Sequence, residues 1–200
     1  MNRSIILAAA AVASSATSVG AQSTTWTIDS AHTTAEFSVR HMMVSNVKGT
    51  FGSVTGTANW DGRNFSTASV DVAIDAASIN TREPKRDAHL KSADFFDAEK
   101  FPALTFKSTK VEPAGAGQAR MTGNLTIRGV TKSVVLDVTG PTPEIKDLSG
   151  GVRIGASATT TISRKDFGLT WNRALEAGGV LVGDEVKITI DVELVRKPAA

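Results

Sequence analysis

The chain has 200 residues, with 22 Lys and Arg against 20 Asp and Glu, and no cysteine. The missing thiols exclude disulfides, thiolate metal centres and cysteine nucleophiles. The near balance of charge gives no electrostatic reason to expect nucleic acid as a partner, and the length suffices for one well-buried core.

The first segment reads as an export signal. Arg3 supplies a positive start, Ile5-Ile6-Leu7 and the alanine run to Ala13 an apolar stretch, and Val19-Gly20-Ala21 small residues for cleavage before Gln22. Residues 1–21 are therefore expected to be removed, leaving 22–200 as one domain. The apolar run falls short of the roughly 20 residues that span a bilayer. No later stretch reads as a transmembrane helix, so no stable membrane insertion is expected. An exported chain without a lipidatable cysteine points to the periplasm of a Gram-negative bacterium.

Period-two alternation then dominates, the mark of strands with one buried face. Phe37, Val39 and His41 alternate with Glu36, Ser38 and Arg40. Asp61-Gly62 reads as a hairpin turn before Val70, Val72 and Ile74. Residues 82–100 break the pattern. This charged segment predicts a short, broken helix inserted between two strands, with Thr81 placed to cap its start. Leu104 and Phe106 resume the alternation, Pro113 to Gly117 reads as a loop, and Met121, Gly123, Leu125 and Ile127 follow. Arg128-Gly129 is a tight connection. Val134, Leu136 and Val138 form the next strand, with Val135 out of phase. Gly140-Pro141-Thr142-Pro143 interrupts, and Ser149-Gly150-Gly151 opens a long row of Ile154, Ala156, Ala158, Thr160 and Ile162. Val186, Ile188, Ile190, Val192 and Leu194 close the chain. Eight or nine strands in meander order predict an all-β, antiparallel up-and-down barrel with one helical insertion. The competing design is a two-sheet sandwich, and the long strands favour the barrel.

Phe37, Val39, Phe51, Val72, Ile74, Phe106, Ile127, Leu136, Ile154 and Ile188 fall on inward faces, where they either fill a core or line a cavity. Small inward residues, Gly123, Ala156, Ala158 and Thr160, favour a cavity. Leu90, Phe95 and Phe96 are candidates to cap one mouth, as a movable cover or as a fixed plug. Phe167 and Trp171 join them as ligand contacts from a late loop. Asn172 with Gly178-Gly179 reads as a mobile loop at an opening.

Catalytic signals are weak. No HExxH or helical histidine pair offers a metal site, and no Gly-x-Ser-x-Gly elbow offers a serine nucleophile. His41 and His89 are candidates for headgroup hydrogen bonds, and Arg86 and Arg164 for holding a polar headgroup. Lys165 and Arg173 flank the same loops and read as solvated surface. Asp87 is expected to pair with a nearby Arg or Lys rather than with His89. No cofactor, metal or catalytic residue is expected.

Four motifs carry a resemblance. Asp29-Ser30-Ala31-His32 with Phe37, Val39 and His41 comes first. Arg86-Asp87-Ala88-His89-Leu90-Lys91-Ser92-Ala93-Asp94-Phe95-Phe96-Asp97, followed by Phe101-Pro102 and Phe106, is second. Gly123 to Lys132 and Arg164-Lys165-Asp166-Phe167-Gly168-Leu169 complete the set. Together they resemble the YceI-like family over about residues 25–195. The resemblance implies a lipocalin-like barrel with an elongated pocket for polyisoprenoids or similar amphiphiles, such as prenyl quinones, and a possible homodimer. The expected function is a periplasmic carrier. Two alternatives are an enzyme acting on a lipid-like substrate at the barrel mouth and a ligand-free, stress-protective structural protein.

Overall fold

A computed structural model describes residues 24–60, 64–176 and 178–196. The expected signal segment and the Asp61-Gly62 turn lie outside the described residues.

The chain runs through strands β1 (Thr24–Ile28), β2 (Thr34–His41), β3 (Ser45–Phe51), β4 (Val54–Trp60), β5 (Ser69–Asp75) and β6 (Ile79–Asn80). Helix α1 (Pro84–Lys91) follows, then β7 (Ala103–Gly115), β8 (Gln118–Ile127), β9 (Val130–Thr139), β10 (Ile145–Lys146), β11 (Val152–Ser163) and β12 (Val182–Arg196). Neighbouring strands pair antiparallel, and β11 pairs with β12 to close the ring. The result is a closed eight-strand antiparallel barrel of the lipocalin-like kind expected, not a sandwich.

Three of the eight staves are bent pairs of strands. β1 and β2 are separated by a 3-10 turn at Ser30–His32, β3 and β4 by Gly52-Ser53, and β5 and β6 by a 3-10 turn at Ala76–Ser78. Aspartates stabilise two of the kinks. Asp29 accepts from the Ala31 amide at 3.1 Å and Asp75 from the Ala77 amide at 2.8 Å, satisfying donors that the ladder has released. Bending keeps the apolar face of each long stave turned inward around a small barrel.

The alternation sorts side chains as expected. Trp26 and Ile28 are buried while Thr25 and Thr27 are exposed; Thr160 faces inward between exposed Thr159 and Thr161. The core has two parts. A larger cluster includes Trp26, Val54, Ile79, Phe95, Ile154 and Phe167. A smaller one, formed by Val111, Ala119, Met121 and Leu136, lies where β7, β8 and β9 meet.

Several local expectations are corrected. Pro113 to Gly117 is mostly strand, because β7 runs on to Gly115 and only Ala116-Gly117 turn the chain into β8. Thr81 does not cap the helix. Glu83 does, its carboxylate accepting from the Lys85 amide at 3.1 Å, with Pro84 preset for the first helical turn. The short β10, hydrogen-bonded to β11 at Ile145↔Arg153, has no counterpart in the alternation. The loop that carries Asn172 is fastened to the start of β12. Asn172 exchanges two hydrogen bonds with the Val182 backbone, at 2.8 and 3.1 Å.

Candidate functional site

The barrel encloses a cavity of about 300 Å³ whose lining is almost wholly apolar. Every long stave contributes to it. Phe37, Val39, Phe51, Val72, Ile74, Phe106, Ile127, Leu136 and Ile188 border the space from the strands. Leu90, Phe95 and Phe96 border it from the segment after β6, and Phe167 from the 3-10 turn after β11. Two of the expected contacts stand back. Ile154 is buried in the core without bordering the cavity, and Trp171 packs on Phe95 at 5.3 Å between ring centroids.

Aromatic rings shape the lumen. A Cβ on Gly49 would lie 2.5 Å from Phe37 Cζ, and one on Gly123 would lie 2.3 Å from Phe106 Cζ. Both glycines therefore accept a ring laid flat along the wall. This corrects the reading of Gly123 as simple vacant width, since Phe106 occupies that width. The open space comes instead from Ala156, Ala158 and Thr160, with Ala58 of β4 and Ala68, just before β5, also on the lining. Rings that lie along the wall leave the axis of an eight-strand barrel clear, where upright rings would fill it.

One end of the barrel is covered by α1, the turn through Phe95 and Phe96, and the 3-10 turn Arg164–Phe167. Phe96 meets Phe51 edge-on at 5.7 Å, and Phe51 meets Phe37 at 6.0 Å. Arginines tie this cover down. Arg164 is buried, 5 % exposed. Its guanidinium donates to the carbonyls of Gly183 (2.8 Å), Leu169 (2.5 Å), Trp171 (2.9 Å) and Val182 (3.3 Å), and to Asp184 Oδ1 (3.2 Å). These contacts use the full donor capacity of the group. Burial pulls its pKa down, and Asp184 opposes the shift. Arg128 donates to the carbonyls of Gly168 and Ala93, both at 2.7 Å, joining the β8–β9 turn to the cover.

The residues expected to contact a headgroup have protein partners in the structure, and of them only Arg164 borders the cavity. Arg164 is committed to backbone carbonyls. Arg86 is occupied by Thr81, donating to its Oγ1 at 2.8 Å and its carbonyl at 3.0 Å. Asp87, expected to pair with a cation, instead accepts from the Thr81 amide and hydroxyl at 2.8 and 2.5 Å, and the hydroxyl bond holds its carboxyl below the usual range. His89 lies outside the cavity lining, ion-paired with Asp94 at 2.8 Å and edge-on to Phe95 and Trp171. His41 ends β2 opposite Ser45 and Val182 and does not border the cavity. Lys165 pairs with Asp184 at 2.7 Å.

At the other end, Trp60 and Phe65 stack at 5.7 Å with nearly parallel rings and border the cavity beside Pro141. The alternation gave no notice of this pair, because Phe65 sits in a 3-10 turn (Phe65–Thr67) rather than in a strand. Ile162, Val182 and Val192 also border the cavity.

Among the described residues, one cluster on the barrel has the residue types of a metal site. Single ligand atoms of Asp29, His32 and Glu193 fall within 4.8 Å of one another. Arg153 already serves the two carboxylates. It bonds Asp29 at 2.6 Å, Glu193 at close range, and Asp147 at 2.8 Å. The cluster stitches β1, the β10–β11 hairpin and β12 together. The Arg153 bond, then the His32 bond, hold the Asp29 carboxyl at about 2.

Comparison with known proteins gives the same picture. A family model described as the YceI-like domain matches residues 26–194. A UPF0312 protein of Staphylococcus aureus (strain MSSA476) is 37 % identical over 170 residues, covering 85 % of this chain and 96 % of the relative. The crystal structure of a Campylobacter jejuni YceI protein is similar, with a TM-score of 0.67 and 35 % identity, covering 80 % of this chain and 90 % of that one. A polyisoprenoid binding domain from Saccharophagus degradans shares the fold, with a TM-score of 0.62 at 14 % identity, covering 86 % of this chain and 98 % of that one.

Proposed function

Because the chain belongs to the YceI-like domain family, we propose that it is a carrier that holds the tail of a polyisoprenoid or similar amphiphile inside its barrel, in the periplasm. The observation that carries this reading is the cavity itself, enclosed within the barrel and lined almost wholly by apolar groups. Its size lies at the lower end of ligand pockets, roughly 300–1,000 Å³. Each methylene moved from water into such a space contributes about 0.8 kcal/mol, so a long tail binds tightly without polar contacts. The exposed lining surface is almost wholly apolar, which favours a polar end held at a rim of the barrel. The export-type N-terminus supports the periplasmic assignment.

Binding rather than turnover is the activity proposed. The His89–Asp94 pair is the acid–base pair nearest the covered end, and it does not border the cavity. Native mass spectrometry of freshly purified protein, paired with organic extraction, tests the proposal. A mass excess that is released as a prenyl or long-chain amphiphile is the expected result. Protein that is empty, and that stays empty after incubation with prenyl quinones and fatty acids, would overturn it.

A further inference from the structure

We propose that the turn between β2 and β3 is a membrane-docking tip, by which Met42, Met43 and Val44 dip into the interface of a lipid bilayer. These three consecutive apolar side chains are 44 %, 53 % and 76 % exposed. Met42 and Met43 have φ of 49° and 63°, the pattern of a type I′ turn. That geometry favours Asn-Gly, and an L side chain such as methionine enters it at a cost. The sequence thus accepts strain and exposes apolar surface at a place where polar residues are ordinary.

The tip is held in place. The Val44 amide donates to the His41 carbonyl at 3.0 Å, and Arg40 Nη2 to the Met43 carbonyl at 2.8 Å. The Met42 amide donates to the Leu181 carbonyl at 2.8 Å, which fastens the turn to the neighbouring loop. In that loop Ala174 bridges to Val180, and a Cβ on Gly179 would come 3.3 Å from Met43 Cγ. These contacts present the methionines outward, at the barrel end that α1 covers.

The size of the patch selects the occupant. At these exposures the three side chains offer roughly 300 Å², well below the ~800 Å² per partner of a stable protein interface. A shallow contact with lipid needs no such area, because affinity grows with each apolar group immersed. Exposed Arg173 and Glu176 lie in the adjacent loop, so both signs of charge are near and apolar burial carries the contact. Among the described residues no helix is long and apolar enough to cross a membrane. The choice of a bilayer rests on the carrier reading, since a carrier of membrane amphiphiles must meet the surface where they reside.

The double variant Met42→Asn/Met43→Gly tests this cleanly, because it supplies the residues the turn prefers. Thermal unfolding at or above the parent temperature verifies that it folds. Flotation with phosphatidylethanolamine–phosphatidylglycerol vesicles is the readout, with transfer of a dansyl-labelled fatty acid out of the same vesicles. The parent is expected to float with the vesicles, and the variant to lose about tenfold or more in association and in transfer rate. Binding of the same probe in vesicle-free buffer should be unchanged, and Val44→Ser should give a smaller loss. Equal flotation of parent and variant, no flotation of the parent, or a change in sedimentation that shows the tip pairing two copies would each overturn the proposal. Failure of the carrier reading looks different: neither protein would bind the probe in buffer, whatever the flotation result.

Discussion

Ala158→Phe places a ring where the tail is proposed to lie. Ala158 sits in the inward row of β11, flanked across the ladders by Val138 and Ile190, and all three border the cavity. A phenyl group there occupies the space of about four tail carbons, so at ~0.8 kcal/mol per methylene the variant forfeits about 3 kcal/mol of binding. At 1.4 kcal/mol per decade this is about a hundredfold loss of affinity. The fold should tolerate the ring. Burial of the aromatic contributes about 1.5–3 kcal/mol, and residual crowding costs about 1–3 kcal/mol, so the two largely offset. Titration of a dansyl-labelled fatty acid, followed by fluorescence, reads the affinity, and thermal unfolding reads the fold. Thr159→Phe, one residue along and exposed, is the matched control and should bind as the parent does. A folded Ala158→Phe protein with parental affinity would refute the reasoning, since the tail would then lie elsewhere.

Three further outcomes follow from the geometry. Arg164→Leu removes the donor to four carbonyls under the barrel cover, and should cost about 3–5 kcal/mol in a urea melt. Gly123→Ala places a Cβ 2.3 Å from Phe106 Cζ and 2.7 Å from the Lys107 carbonyl oxygen; it should destabilise by about 1–3 kcal/mol and weaken tail binding, and the added change Phe106→Leu should restore only part of the stability, because the backbone contact remains. Asp29 has a folded-state pKa below its unfolded value, so its contribution is complete above the ordinary 3.8 and is lost as pH falls toward about 2. Melting temperature measured across that interval should fall less steeply for Asp29→Asn than for the parent, and parallel curves would remove the Asp29–Arg153 pair from the account.

The barrel was legible because one face of each strand is buried and the side-chain period is two, so Phe37 and Val39 or Ile188 and Ile190 announce their own direction. The cavity was legible only in part. Ala156 and Ala158 read as space and are space, but Gly123 reads the same way and holds the Phe106 ring. That distinction needs the diagonal neighbour across the ladder, which alternation within one strand does not contain. Arginines were the hardest to assign. Arg86 and Arg164 have the chemistry of a headgroup clamp, yet their donors go to Thr81 and to loop carbonyls. Backbone carbonyls are acceptors of every residue type, so nothing in the local sequence marks them. Phe65 was missed because a 3-10 turn carries no period to read.

The most direct measurement is a set of intermolecular NMR contacts between a carbon-labelled prenyl tail and the methyl groups of the saturated protein. Contacts from the tail to Ala158, Val138 and Ile190, with none to Val135 on the outer face of β9, are the predicted result. A tail that contacts outer-wall methyls, or none at all, would contradict the placement of the ligand inside the barrel.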